Sequence, residues 1–249
     1  MGIKNTWNNY YKKNDVTALT DRNLFKLELD SIKENFGKKI MNKKSSSLNI
    51  LELGSGTGFL AYQLIQILNK RKINYHYTGI DFSQEAIKKA KTRKLKRCQF
   101  IEIDYLRFLK TNTKKFDYII SQRSIMAVMN AHTQKTLFKL IHYNLKKSGH
   151  GLFSECTKQS LKNLQGFRKK LSVEPYKPIW HSNYIDENMI IKIFSKYEKI
   201  DFCSTYYLIT RIIYPYFKKP RHNTQLHSFA SSLEQHGDYG LVKLFIVRP

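Results

Sequence analysis

The residues best placed to do chemistry are Glu52, Gly54, Gly56 and Gly58, in the stretch LELGSGTGFL from Leu51 to Leu60. Three glycines alternate with small polar residues, directly after the apolar run NILEL. Without a Cβ, such a loop reaches unusual backbone angles and lets a ligand approach the main chain. A phosphate-cradling P-loop needs Lys and then Ser or Thr after its last glycine, and Phe59 and Leu60 stand there instead. A dinucleotide fingerprint needs Gly or Ala at its third site, which is Phe59 when counted from Gly54 and Gly56. That reading is weakened without being excluded. Two further acids recur in order downstream, Asp81 in YTGID and Asp104 in IEIDYL.

Other side chains point to an acceptor rather than a cofactor. Arg123, in SQRSIMAVMN, carries the planar fork that grips a phosphate or carboxylate with two bonds. His132 is a candidate general base. The segment PIWHSNYIDE, Pro178 to Glu187, gathers Trp180, His181, Tyr184 and Asp186. Stacking rings beside a proton acceptor suit a sugar-like acceptor, with His181 as base and Trp180 and Tyr184 as contacts. His222, His227 and His236 lie in a late insertion, and the sequence does not choose among them.

These groups need elements to hold them. Residues 1–48 read as a polar helical segment with LFKLELDSIKENF at helical spacing. From residue 49 to 156 strands alternate with helices: NILEL, YHYTGID, CQFIEID, FDYIIS and LFSECT as strands, with Ser83 as the N-cap of SQEAIKKAKTRK. Such alternation means a parallel sheet covered on both faces. Residues 157–249 change rhythm, with KIDFCSTYYLITRIIY read as a long strand-like run and VKLFIVRP as a final strand of the same sheet.

Composition sets the outer bounds. The chain has 249 residues, hydrophobic 41% and charged 25%, enough for a packed core. No apolar run reaches the roughly 20 residues of a membrane span. Gly2 and Thr6 match the loose acylation pattern. Three cysteines without a C-x-x-C exclude a disulfide framework and a zinc site and place the chain in a reducing cytoplasm. A net charge of +25 attracts anions: nucleic acid, anionic lipid or phosphorylated small molecules. The basic residues are spread along the chain rather than concentrated, so ordinary solvated surface stands equal to a functional field.

The spacing acid-x-G-x-G-x-G at a strand end resembles motif I of the class I S-adenosylmethionine-dependent methyltransferases, with Asp81 and Asp104 recurring in the family's order. The resemblance implies an α/β, Rossmann-like, seven-stranded and mostly parallel sheet with helices on both faces and an antiparallel last strand. It implies S-adenosyl-L-methionine as cofactor, with S-adenosyl-L-homocysteine as product, and no metal. The cofactor would lie against Glu52, Gly54, Ser55, Gly56, Gly58 and Phe82, with Asp81 at the ribose. Asp104 would bind the adenine amino group with Tyr105 as a stacking neighbour, and Ser121 would also contact the cofactor. A carboxylate accepting ribose hydroxyls contributes about 1.5–3 kcal/mol per charged bond.

The late segments are similar to methyltransferases of bacterial surface-polysaccharide clusters. That similarity implies O-methylation of a sugar or another small anionic acceptor. The base-amine motif [DNS]-P-P-[YFW] is absent after the fourth strand, which counts against nucleic-acid base amines. RNA methylation is the alternative that the charge supports. A non-catalytic adenosylmethionine-binding subunit is a third reading, which the intact glycine loop disfavours.

Overall fold

From residue 48 onward, short apolar runs alternate with amphipathic stretches, and they become strands and helices in that order. The computed structural model describes residues 3–13, 20–41, 47–178, 182–217 and 223–249. The strands are β1 Leu48–Leu53, β2 Tyr75–Asp81, β3 Cys98–Glu102, β4 Phe116–Gln122, β5 Leu145–Cys156, β6 Lys196–Ile200 and β7 Val242–Arg248. They form one seven-stranded sheet in the order β3-β2-β1-β4-β5-β7-β6. β1 pairs in parallel with β2 and β4, β2 with β3, and β4 with β5. β7 runs antiparallel to both neighbours, β5 and β6. The mostly parallel sheet with an antiparallel last strand is thus the observed architecture.

The helices are α1 Ile3–Lys13, α2 Arg22–Ile40, α3 Phe59–Lys70, α4 Gln84–Thr92, α5 Tyr105–Thr111, α6 Ala131–Asn144, α7 Lys158–Lys170, α8 Glu187–Ile193, α9 Ser204–Tyr207, α10 Tyr214–Phe217 and α11 Gln225–Ser232. Side chains alternate across the central strands, so each face feeds its own core. Ile50, Tyr118 and Ile120 pack with Ile32 and Phe36 of α2 and Leu64 and Leu68 of α3. Leu51, Leu53 and Ile119 pack with Leu109 of α5 and Leu137, Phe138 and Ile141 of α6. Strand order reverses between β1 and β4, and ligands of open α/β sheets bind at the strand carboxyl ends there. No helix among the described residues is long and apolar enough to cross a membrane. Cys98, Cys156 and Cys203 are free thiols.

Two elements differ from the sequence reading. The run KIDFCSTYYLITRIIY is not one strand. β6 ends at Ile200, and Ser204 to Phe217 is helical, with a π-helical turn at Leu208–Ile213. Its buried residues are Ser204, Tyr206, Tyr207, Thr210, Arg211 and Ile212. That spacing of three to four is helical, and β-branched and aromatic content masked it. β3 stops at Glu102, because Asp104 turns its carboxylate onto Leu106 N (2.9 Å) and Arg107 N (3.1 Å) as the N-cap of α5. The expected cap at Ser83 is present, its Oγ accepting from Ala86 N at 3.3 Å.

The amino-terminal helices are tied to the late insertion through one buried carboxylate. Asp21 caps α2 through Leu24 N (3.1 Å), accepts the Tyr206 hydroxyl (2.7 Å) and pairs with the Arg211 guanidinium. Burial pushes this carboxyl up, but the Arg211 charge and the hydrogen bonds from Tyr206 and Leu24 outweigh it and hold it below its ordinary 3.8. A depressed folded-state value contributes stability above the unfolded pKa and loses it as pH falls through the folded one. Asp21→Ala leaves Arg211 buried and unpaired, so urea unfolding at neutral pH should show a loss of about 3–5 kcal/mol. The difference from wild type should shrink as pH falls below 3.8.

Candidate active site

β1 ends at Leu53 and the glycine loop follows at once. Gly54 N and Ser55 N both donate to Ile80 O, at 2.8 and 2.9 Å. Gly54 has φ +70°, and a Cβ there would stand 2.3 Å from Ser124 Cβ, so the main chain fills a slot that no side chain fits. Gly56 N donates to Asp81 Oδ2 (3.0 Å), while Ser83 N donates to Asp81 Oδ1 (2.8 Å). Asp81 therefore holds the loop, the end of β2 and the start of α4 together. Burial pushes its carboxyl up to about 6, against the N–H groups of Ser83, Gly56 and Phe82. Glu52 accepts from the Tyr77 hydroxyl at 2.8 Å. Burial raises it to about 8, opposed by that bond and reinforced by Asp81.

A cavity opens above this floor. Gly54, Ser55, Gly56, Glu52, Asp81 and Phe82 line one end. Its roof is α1, which contributes Trp7, Tyr10 and Tyr11. Lys4 pairs with Glu102 (2.9 Å) and Asn8 Oδ1 accepts from Ser83 Oγ (2.8 Å), anchoring the roof to β3 and α4. The Trp7 and Tyr11 rings stack at 5.8 Å. Burial and the Asp81 charge push the Tyr11 hydroxyl well above its ordinary range. Ser124 abuts the loop at Gly54, and Phe25 and Glu28 of α2, with Gln122, Arg123, Met126 and Ser182, complete the lining.

Arg123 does not wait there with a free charge. Its Nε lies 3.0 Å from both carboxylate oxygens of Glu28, with the hydrogen bond directed at Oε1. Ser154 Oγ donates to the same oxygen. The expected anion-gripping fork is thus already neutralised by an acid 95 positions away. Arg123 also has a left-handed backbone, φ +54°, fixed by its N–H to Ser154 O at 2.8 Å. Four buried side-chain atoms of cavity-lining residues have no hydrogen-bond partner: Ser55 Oγ at the loop, and Glu28 Oε2, Arg123 Nη2 and Ser182 Oγ at the far end. Buried polar atoms are normally paired, so these mark where a ligand's polar groups would complete the site.

The sequence candidates divide accordingly. Glu52, Gly54, Ser55, Gly56, Asp81, Phe82, Tyr105 and Arg123 meet at the cavity. Gly58 lies behind the loop as the N-cap of α3. Ser121 stands one layer back, its Oγ donating to the buried Glu155, and Ser124 takes the cavity face instead. Glu155 also accepts Ile125 N (3.0 Å) and Met126 N (3.1 Å) and shapes this turn. Asp104 is exposed on an adjoining outer pocket that shares Phe82 and Tyr105 with the cavity. His132 is exposed in the first turn of α6 and does not line the cavity. Tyr184 is buried against Tyr176 in the core, and Ser182 reaches the cavity in its stead. His227 is enclosed by Thr224 (2.8 Å) and Arg211 (3.3 Å), and His236 is exposed beside Glu234. Trp180, His181, His222 and Gly2 lie outside the described residues.

Glu28 and the α1 aromatics were missed from sequence. Glu28 had a signal: Leu24, Glu28, Ile32, Phe36 and Ile40 are spaced by four, so an acid interrupts an apolar stripe. A Cβ on Gly56 would stand 3.0 Å from Tyr11 Oη at φ +50°. Gly56→Val should therefore abolish binding of S-adenosylhomocysteine in calorimetry while far-ultraviolet circular dichroism stays that of the folded chain.

The family described as methyltransferase domain matches residues 44–191, well over half of the chain. A malonyl acyl-carrier-protein O-methyltransferase of Bacillus anthracis is 32% identical over 121 residues, 48% of this chain and 42% of that protein. A bifunctional methyltransferase of Rickettsia prowazekii (strain Madrid E) is 34% identical over 116 residues, 45% of this chain and 20% of that protein. The chain spans less than half the length of these relatives. In fold it is similar to the N-methyltransferase NodS of Bradyrhizobium japonicum WM9 in complex with S-adenosylhomocysteine, with TM-score 0.61, 14% identity, and 99% and 98% of the two chains covered. It is also similar to magnesium protoporphyrin IX methyltransferase of Synechocystis PCC 6803 with S-adenosylhomocysteine bound, with TM-score 0.56, 12% identity, and 98% and 94% covered. With the acid–glycine loop at the switch point of its sheet, the chain belongs to the methyltransferase-domain family of class I, S-adenosylmethionine-dependent enzymes.

Proposed function

We propose that the protein transfers the methyl group of S-adenosylmethionine to a hydroxyl of a small, sugar-like acceptor, in the assembly of a surface glycan. The observation that carries the small-acceptor reading is the cavity itself, roofed by α1 and lined by one end of acids and glycines and one end of aromatic and paired polar groups. When bound, the cofactor would supply an activated methyl group; a carbon–oxygen bond would form as the carbon–sulfur bond breaks, and the hydroxyl proton would pass to the base. The chain's own task is to hold the two partners in line, worth about 7–11 kcal/mol in such reactions.

Each end has a role in that task. Asp81 would accept the ribose hydroxyls on the oxygen edges that its bonds from Gly56, Ser83 and Phe82 N–H leave open. Glu52, buried and raised toward neutrality, becomes ionised beside the ammonium of the cofactor. Phe82 and Tyr105 flank the adenine. The rings of Trp7, Tyr10, Phe25 and Phe59 give the acceptor an apolar wall on which a sugar face stacks. Ser182 lines the cavity and His181 precedes it in the chain, and His181 is the proposed general base.

RNA methylation draws on the net charge of +25. The cavity lining, however, holds Glu28, Glu52 and Asp81 against Arg123, so the surplus positive charge is not gathered where the chemistry happens. Salt separates the two readings. RNA gripped by six to ten phosphate contacts should lose about 10³–10⁵ in affinity between 50 and 200 mM salt, whereas a small acceptor loses far less. Selective RNA binding at physiological salt with no small-molecule turnover would replace the leading reading.

Two variants test the roles. Asp81→Ala should weaken S-adenosylhomocysteine by about 1.5–3 kcal/mol in calorimetry, the worth of charged hydrogen bonds. Unchanged affinity would take the ribose away from Asp81. His181→Ala should lower turnover by roughly 10²–10⁴ while cofactor affinity holds. Full activity would remove it as the base.

A further inference from the structure

The far end of the cavity carries a feature that the methyltransferase fold does not require. Glu28 is fully buried on α2, and Arg123 sits in a left-handed turn after β4. They neutralise each other at 3.0 Å, yet each keeps one buried atom without a hydrogen-bond partner, Glu28 Oε2 and Arg123 Nη2. Ser182 Oγ, also buried and unpartnered, belongs to the same end. One acceptor atom, one charged donor and one hydroxyl of cavity-lining residues are thus buried without a hydrogen-bond partner, with Glu28 Oε2 held only by its ion pair to Arg123.

We infer that this pair is the acceptor-recognition subsite, and that it selects a neutral or amine-bearing acceptor and rejects an anionic one. The inference rests on the methyltransferase reading and corrects the expectation that Arg123 serves a phosphate or carboxylate. A neutral polar group offers an O–H or N–H to Glu28 Oε2 and a lone pair to Arg123 Nη2, and both orphan atoms are satisfied. An anion finds the one cationic side chain among the described lining residues already paired, with the Glu28 carboxylate beside it. Buried charge without a counter-charge is costly, so the anion is excluded even though the surface of the protein is strongly basic. An amine is accommodated by the Glu28 carboxylate, which accepts its N–H.

The test uses two matched probe sets and release of S-adenosylhomocysteine as readout. The sugars are glucose, glucosamine, glucuronate and glucose 6-phosphate; the arenes are 4-hydroxybenzyl alcohol, tyramine and 4-hydroxybenzoate. Within whichever set is turned over, the neutral and amine members should exceed the anionic ones by at least about tenfold in kcat/KM. Glu28→Gln keeps the shape of the side chain and leaves the Arg123 charge uncompensated. It should shift the preference by about tenfold or more toward the anionic members, with affinity for S-adenosylhomocysteine unchanged. A merely structural role for Glu28 would lower all rates together and leave the ranking as it was. An anionic preference in the wild type, a ranking unaltered in Glu28→Gln, or no turnover of any probe by a protein that binds S-adenosylhomocysteine overturns the subsite. Failure to bind S-adenosylhomocysteine at all would instead overturn the methyltransferase reading. Turnover of arenes alone, with the neutral preference, keeps the subsite and removes the sugar.

Discussion

The glycine loop keeps its shape because two groups at the end of β2 accept its backbone donors. The carbonyl of Ile80 takes Gly54 N and Ser55 N, and the carboxylate of Asp81 takes Gly56 N. The loop is left-handed at Gly54 and Gly56, so it has no regular partners of its own. Pinning it to β2 aligns it with the start of α4, through Ser83 N on the same carboxylate. Ser83 in turn holds Asn8 of α1, so the roof over the cavity also depends on this corner. Ile80, Asp81 and Ser83, at and just beyond the end of β2, thus set the floor, one wall and the roof together.

Local electrostatics inside this molecule run against its overall charge. The chain carries +25, yet its cavity is lined by Glu28, Glu52 and Asp81 with only Arg123 in opposition among the described residues. Long-range fields from dispersed lysines are screened over a Debye length of about 8 Å at physiological salt. Inside the cavity water is scarce and each charge acts on its neighbours at short range. That is why burial raises Glu52 to about 8 and Asp81 to about 6, while Glu155, one layer back, is raised to about 7. Raised carboxyl values oppose folding as pH rises through them, because the folded chain resists ionising these groups. A cationic ligand reverses the sign by giving Glu52 a partner.

Among the described residues, the late insertion ties down α2 and supplies no titratable group to the cavity. Arg211, in the π-helical turn, reaches Asp21 at the start of α2, and Tyr206 reaches the same carboxylate. The buried His227 packs against Arg211 and Thr224 and so belongs to this scaffold. Lys243 of β7 is fully buried between Asp201 and Asp238, closing the loop that precedes it onto β6 and α9. Because α2 carries Glu28, this scaffold also positions the Glu28–Arg123 pair in the cavity lining.

By itself the sequence determined the sheet, the glycine loop, Asp81 at the end of β2 and the Ser83 cap. All of these follow from relations over a few residues: alternation along a strand, an acid two before a glycine, a hydroxyl three before an N–H. It also placed Asp104 as an acid after β3, but not its use as a helix cap. It misread residues 204–214 because β-branched and aromatic side chains outweighed a helical spacing that was present. Only the tertiary structure decided what faces the cavity. The Arg123–Glu28 pair spans 95 positions and the Asp21–Arg211 pair 190, and no local rule selects such partners. Likewise, which of two neighbouring side chains turns inward, Ser124 rather than Ser121 or Ser182 rather than Tyr184, is set by the packing of β5 and α2 behind them. Side-chain direction in turns has no periodicity to read, so those choices became visible only once the chain was folded.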